Sequence, residues 1–183
     1  VGGASRRSDF LGAPDRTEDL IRPASDADLS AVADIYAHYV RDTLITFDEE
    51  VPDPSAWSAK LAAAAESGWP FLVAERADGV VLGYALLQPF RGKSGWRFAA
   101  ENSIYLAPEA TGRGLGRALL HALIDTGRSA DVRSIIAVIS DQGTGASIAL
   151  HEKAGFAPSG YLEQVGWKHG QRVGVHLMTL HLV

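Results

Sequence analysis

Cysteine is absent from the 183 residues. That excludes disulfides, thiolate-bound zinc and a cysteine nucleophile, and it suits a reducing compartment. Nor does any apolar run approach the roughly 18 residues of a membrane-spanning helix. The longest candidate, Val80–Leu87, is strand-sized and interrupted by Gly83. Positive charge is short as well: 17 Lys and Arg stand against 22 Asp and Glu, a net charge of −5. A protein that grips nucleic-acid backbone gathers the opposite excess, so that class is set aside, as is a membrane partner. Val1–Arg7 carries no apolar signal core.

What is present is an ordinary globular balance. Hydrophobic residues make up 46% and charged residues 21%, which rules out a disordered chain. A chain of this length buries roughly 70% of its unfolded surface and needs neither metal nor disulfide to stand. Residues 1–19 are rich in Gly, Ser, Arg and Asp without periodicity and read as a flexible N-terminal extension. Residues 20–183 read as one cytoplasmic domain.

The pattern along that domain is mixed α/β. Ile21–Pro23 is a short strand closed by proline. Ser25 and Asp28 form a capping signal before a helix whose inward stripe runs Leu29, Val32, Ala33, Tyr36, Tyr39 and Val40. Asp53-Pro54 starts a second helix, with Trp57, Leu61 and Ala64 on one face and an end near Gly68. Phe71–Ala74 and Val80–Leu87 alternate as strands around the Asp78-Gly79 hairpin turn. Glu101–Leu106 is another strand, and a glycine-bearing turn from Pro108 to Gly116 leads into a helix carrying Leu115, Leu119 and Leu123. Ser134–Ile139 is a continuous apolar run, typical of a strand covered on both faces. A helix over Ser147–Ala154 ends at Gly155, and strands near Tyr161–Val165 and Val173–Leu182 complete the order.

Several common chemistries fail on spacing. Gly92-Lys93-Ser94 would close a phosphate-binding P-loop, but Leu87 stands where its first glycine belongs. The stretch Gly112-Arg113-Gly114-Leu115-Gly116 has Arg117 in place of the last glycine of the dinucleotide fingerprint. His151-Glu152 begins like a zinc-protease helix, but Gly155 occupies the second histidine position. His176 and His181, five apart on one strand, face opposite sides and share no metal. What survives is the turn Thr111–Ala118. Its glycines let the backbone approach a ligand, a helix starts there with unpaired N–H groups, and Arg113 and Arg117 add positive charge. An ordinary tight turn before a helix would share these features.

The ordered motifs resemble the GNAT acetyltransferase superfamily, and within it the phosphinothricin acetyltransferase-like enzymes. The resemblance is carried by Ile35–Val40, Thr46-Phe47, Pro52, Trp57, Pro89-Phe90-Arg91, Glu101–Leu106, Gly112–Ala118, Leu150–Phe156 and Gly166–Gly170. It covers Ile21 to Leu182 and implies a mixed α/β fold whose central, mostly antiparallel sheet is splayed and flanked by helices. It further implies acetyl-CoA as donor, no metal, a small-molecule amine as acceptor and a homodimer. In the resemblance, Thr111, Gly112, Arg113, Gly114, Leu115, Gly116, Arg117 and Ala118 hold the cofactor pyrophosphate, and Ile104, Tyr105 and Leu106 offer backbone groups to the pantetheine arm. Thr111 replaces the usual Gln or Arg, and Thr144 stands where Asn is often found before the last helix. The late segment departs at Trp167, Arg172 and Gly174.

Acetyl transfer needs a neutral amine, a polarised thioester and a proton for the leaving thiolate. A free α-amino group has a pKa of about 8 and so profits from a base. Glu101 matches the family's general-base position, although a carboxylate at a strand start is also an ordinary solvated group. His151, four residues before Gly155, matches the position of the thiolate's proton donor, provided its surroundings raise its pKa; the alternative is a hydrogen-bonded helix histidine. Arg91, Lys93 and Arg97 form a basic loop upstream of Glu101 that would grip an anionic acceptor, with Phe47 and Trp96 as its apolar wall. The expected activity is direct N-acetylation, in a ternary complex, of a small amino-acid-like amine of the phosphinothricin or methionine sulfoximine type. The alternatives are another amine (a peptide N-terminus, a polyamine or an aminoglycoside) and a non-catalytic acyl-CoA-binding module.

Overall fold

A computed structural model describes residues 19–143 and 145–182. Residues 1–18, Thr144 and Val183 lie outside the described residues, and with them the expected N-terminal extension and the expected cofactor contact of Thr144. In chain order the elements are β1 (Leu20–Pro23), α1 (Leu29–Asp42), α2 (Pro54–Ser67), β2 (Phe71–Glu75), β3 (Val81–Pro89), β4 (Ala99–Leu106), α3 (Leu115–Ser129), β5 (Ser134–Ser140), α4 (Gly145–Lys153), β6 (Ala157–Lys168) and β7 (Gln171–His181).

Local chemistry accounts for most of these boundaries. The Asp53 carboxylate accepts from the Ser55 N–H at 2.9 Å and caps α2, with proline in the first turn; such a cap contributes about 1 kcal/mol. Asp28 accepts from both the Ser25 N–H and its hydroxyl before α1. The same carboxylate takes two bonds from the Arg22 guanidinium at 2.7 and 2.8 Å, which holds it down at about 2 and locks β1 to the start of α1. On α1 the buried positions are Val32, Ile35, Ala37 and Val40; on α3 they include Leu115, Leu119, Leu120, Leu123 and Ile124.

The strands form one seven-stranded sheet in the order β1-β2-β3-β4-β5-β7-β6. Every neighbouring pair is antiparallel except β4 with β5. That parallel pair holds only over Ala99–Glu101 against Ser134–Ile136. Beyond it the two strands part, and the sheet opens as a wedge in its middle. Helices α1 and α2 cover one face, where Tyr36 and Tyr39 meet Tyr105 and Trp57 meets Tyr84. Across the sheet, α4 brings His151 to Asn102. Consecutive residues of β4 point to opposite faces, so Glu101, Ser103 and Tyr105 face α1 and α2 while Asn102 faces α4.

Most strands differ from their sequence-based bounds by one or two residues, β4 starting at Ala99 and β7 at Gln171, and β6 differs most. β6 runs twelve residues, well beyond Tyr161–Val165, and α4 starts two residues before Ser147. β6 is an edge strand, exposed along almost its whole length, with register shifts between Pro158 and Gly160 and between Leu162 and Gly166. With no face buried, its sequence carries no hydrophobic period to mark its ends.

Candidate active site

The wedge between β4 and β5 forms a cleft lined by Asn102, Ile104, Tyr105, Ala137, Ile139 and Ser140, closed by Ser147 and His151 of α4. On the α1–α2 side lies a second cavity of about 270 Å³. Its walls are aromatic: Tyr36, Trp57, Tyr84 and Tyr105 pack edge-on or tilted with ring centroids 5.0 to 5.6 Å apart. Burial raises the Tyr36, Tyr84 and Tyr105 phenols, Tyr105 to about 12, so they serve as neutral walls. The polar groups are Asp48, Lys60, Gln88 and Glu101.

Glu101 lines both cavities, together with Ile45, Ser103, Tyr105 and Val138. The carboxylate therefore stands where a ligand in the wedge and a ligand in the aromatic cavity would meet. Burial pushes its pKa above the ordinary value, and the nearby charges of Arg91 and Lys60 pull it back. A carboxylate raised in this way is a stronger base than a solvated one, which favours general-base work.

His151 is buried and sits in a fixed hydrogen-bonding frame. Its Nδ1–H donates to the Ser147 carbonyl at 2.8 Å, and its Nε2 accepts from the Asn102 side-chain amide at 3.0 Å. Only the neutral Nδ1–H tautomer satisfies both contacts. Burial lowers the pKa further, against a smaller raising effect of the Ser147 carbonyl. In this frame Nε2 carries no proton and accepts from Asn102, and the raised pKa on which a proton-donor role depends is absent. Asn102 Oδ1, by contrast, is buried without a hydrogen-bond partner.

The glycine turn is built as its residues suggest. Gly112 and Gly114 adopt φ of +73° and +87°, and a Cβ at either would meet open space, so it is the backbone angle and not crowding that demands glycine there. Gly114 is the N-cap of α3. The first intrahelical donor from this end is the Ala118 N–H, bonded to the Gly114 carbonyl at 3.2 Å. The N–H groups before it face outward, as at any helix start. Thr111, Arg113 and Arg117 are exposed around them. The Thr111 hydroxyl donates to the Pro108 carbonyl and so closes the turn.

The substrate-side expectations divide. Phe47 does line the aromatic cavity. The charge of Arg91 reaches Glu101, although its side chain rests over the Phe90 ring. Lys93 is exposed, Trp96 packs against Phe90, and Arg97 lies over the Phe98 ring with a bond to the Ser94 carbonyl. None of Lys93, Trp96 and Arg97 is among the residues lining either cavity. The segment that carries them leaves the sheet and turns over a short 3-10 helix at Ser94–Trp96.

Residues to which the sequence reading gave no site role shape the cavity and its border. Tyr36 donates to Asp48 at 2.7 Å and shares a 2.5 Å contact with Thr46. Lys168, fully buried at the end of β6, donates to the Tyr39 carbonyl at 3.2 Å and the Thr46 carbonyl at 2.8 Å. It thereby pins the loop bearing Thr46, Phe47 and Asp48 to the far hairpin. Phe47 packs directly on Gly166, where a Cβ would collide with Cε1 of its ring. These links join positions more than 100 residues apart, and no local pattern announces them.

A seven-stranded sheet splayed at its single parallel pair, with a glycine-bearing helix start beside the wedge, defines a class of acyl-transferring enzymes, and the chain belongs to it: residues 32–156 match the acetyltransferase (GNAT) family. Similar proteins include a phosphinothricin N-acetyltransferase of Alcaligenes faecalis, 42% identical over 86% of this chain and 80% of the relative. An L-methionine sulfoximine/L-methionine sulfone acetyltransferase of Pseudomonas paraeruginosa is 39% identical over 88% of this chain and 94% of the relative. Among solved structures, a phosphinothricin acetyltransferase of Sinorhizobium meliloti in complex with acetyl-CoA superposes with a TM-score of 0.85 at 35% identity, covering 89% of this chain and 88% of that one.

Proposed function

We propose that the protein transfers the acetyl group of acetyl-CoA to the amine of a small amino-acid-like acceptor of the phosphinothricin or methionine sulfoximine kind, directly and in a ternary complex. The observation that carries this reading is Glu101 on the shared wall of the wedge and the aromatic cavity. The donor fits the residues present. The outward N–H groups and flanking arginines at Gly112–Ala118 suit a pyrophosphate, and the parted edges of β4 and β5 leave the backbone groups of Ile104 and the Leu106 N–H for a pantetheine arm, beside the unpartnered Asn102 Oδ1, while the Leu106 carbonyl accepts from the Tyr39 hydroxyl and Tyr105 pairs with β3. When bound, acetyl-CoA supplies the acetyl carbon to which the acceptor nitrogen bonds as the carbon–sulfur bond breaks, the nitrogen losing one proton and the sulfur gaining one.

Glu101 takes the proton from the acceptor amine, directly or through water. Phe47 and the tyrosines exclude water from the acceptor side. His151, neutral and bound at both ring nitrogens, positions Asn102 in the wall of the wedge. Direct transfer agrees with a sequence without cysteine, which offers no thiol for an acyl-enzyme. A homodimer would cover Tyr161, Leu162, Val165 and Trp167, which β6 leaves between 46% and 60% exposed. A cytoplasmic setting fits the same lack of cysteine; among the described residues no helix is long and apolar enough to cross a membrane.

The test is thiol release from acetyl-CoA with phosphinothricin, methionine sulfoximine, ordinary amino acids, polyamines, aminoglycosides and peptides. Fastest release with the first group, and intersecting initial-rate lines when both substrates are varied, are expected. Fastest release with a peptide or polyamine would replace the acceptor class, and parallel lines would replace direct transfer.

A further inference from the structure

The aromatic cavity contains a cation that the mechanism above does not use. Lys60 lines it from α2, one helical turn beyond Trp57, and is only half exposed. Its Nζ donates to the Gln88 side-chain carbonyl at 2.8 Å and lies 5.6 Å from the centre of the Trp57 ring. Among the described residues no carboxylate comes within ion-pair distance of it, although Asp48 and Glu101 share its cavity. It is thus a half-buried ammonium group whose hydrogen-bond partner is a neutral amide. Burial lowers its pKa while the two carboxylates raise it, so an anion brought beside it would restore what burial removes.

Its position relative to the base is set by the sheet. Gln88 is the direct cross-strand partner of Glu101 in the β3–β4 register, and such partners have Cβ atoms about 5 Å apart. Holding Nζ on Gln88 therefore places the cation beside the general base without neutralising it. Asp48, fixed by Tyr36, stands in the same cavity. Two carboxylates and one ammonium make a zwitterion-matched cavity: the acceptor's amine belongs at Glu101, and a negative group next to that amine belongs at Lys60. Of the basic residues of the 91–97 segment, none lines this cavity.

We propose that Lys60, held by Gln88, binds the carboxylate of the amino-acid acceptor and is the residue that selects an amino acid over an uncharged amine. This rests on the acetyltransferase reading above, and the experiment separates the two. Thiol release is measured with phosphinothricin and with its carboxamide, in the wild type, Lys60→Met and Lys60→Arg, with thermal unfolding as a check that each variant is folded. The wild type is expected to favour the acid. Lys60→Met is expected to lose about 10²-fold in kcat/KM on the acid, carried mainly by KM, because a half-buried charge-assisted contact is removed. Both compounds are compared above the acid limb of each protein, where the Lys60 charge no longer acts through Glu101; there the loss on the carboxamide should be much smaller than on the acid, and Lys60→Arg should recover part of the loss on the acid. An unchanged preference for the acid in Lys60→Met, or an equal loss on both compounds, overturns the proposal and leaves Lys60 as a support for Glu101 or for α2. A wild type that acetylates neither compound overturns the acceptor class itself, before any variant is considered.

Discussion

The side-chain amide of Asn102 donates to Nε2 of His151 at 3.0 Å, linking the middle of β4 to α4 at the wedge. Because Nδ1–H is engaged by the Ser147 carbonyl, this one bond decides the protonation of the ring. In this arrangement Nε2 is a neutral acceptor that orients its neighbour. In an apolar setting a charged imidazole would also have to lose its hydration, which works in the same direction.

The first consequence concerns acid stability. The folded pKa of His151 lies below the ordinary 6.5. In the window between the two values the unfolded chain binds the proton and the folded chain does not, so stability rises with pH there. The protein should lose stability as the pH falls below about 6.5 toward that folded value. His151→Gln should flatten this part of the curve, as measured by denaturant unfolding at several pH values. It should also raise the KM for acetyl-CoA more than it lowers kcat. Loss in the variant of an alkaline limb present in the wild type would restore the proton-donor role, because a donor must be protonated to act.

Glu101→Gln keeps the shape of the side chain and removes proton acceptance. Turnover is expected to fall by about 10²–10⁴, with acetyl-CoA affinity by calorimetry unchanged. In the wild type the acid limb of kcat/KM should lie above the ordinary carboxylate value, since burial raises this group. Arg91→Ala should move that limb further upward, because the Arg91 charge favours the ionised form. A limb that stays at the same pH in Arg91→Ala would place the arginine outside the field of the base.

At the helix start, Gly114→Asp combines a strained backbone with a negative charge where an anion is to bind. Gly114→Ala supplies the strain alone, since φ is +87°, at about 1–2 kcal/mol. Calorimetry should show CoA binding weakened in Gly114→Ala and lost in Gly114→Asp. Equal affinity in the two variants would mean that the phosphates bind elsewhere.

Two contacts hold the loop with Phe47, and they can be broken separately. Lys168→Met retains most of the packing but leaves the carbonyls of Tyr39 and Thr46 without their donor, a loss of about 1–3 kcal/mol. Gly166→Ala drives a methyl group into the Phe47 ring. Both variants should raise the KM for the acceptor and leave the KM for acetyl-CoA near its original value, because the loop borders the aromatic cavity more than the wedge. A parallel rise in both constants would show that the loop serves the whole sheet.

The alternation of elements, the Ser25/Asp28 capping signal, the Asp53 cap, the Asp78-Gly79 hairpin and the glycine turn before α3 were legible in the sequence, because these depend on residues within one or two turns of each other. The sequence also marked Glu101, through the strand and motif around it. The tertiary structure decided what depends on distant partners. The protonation of His151 required Asn102, which is 49 residues away, and the seat of Phe47 required Gly166 and Lys168. Lys60 reads locally as one more polar residue on a helix; only its hydrogen bond to Gln88, whose sheet register sets it opposite Glu101, places it in the cavity. In the basic segment 91–97 only the Arg91 charge reaches Glu101, while Lys93 and Arg97 lie along a turn that leaves the sheet. Charge is legible along the chain, but which charges share a low-dielectric space is a property of packing.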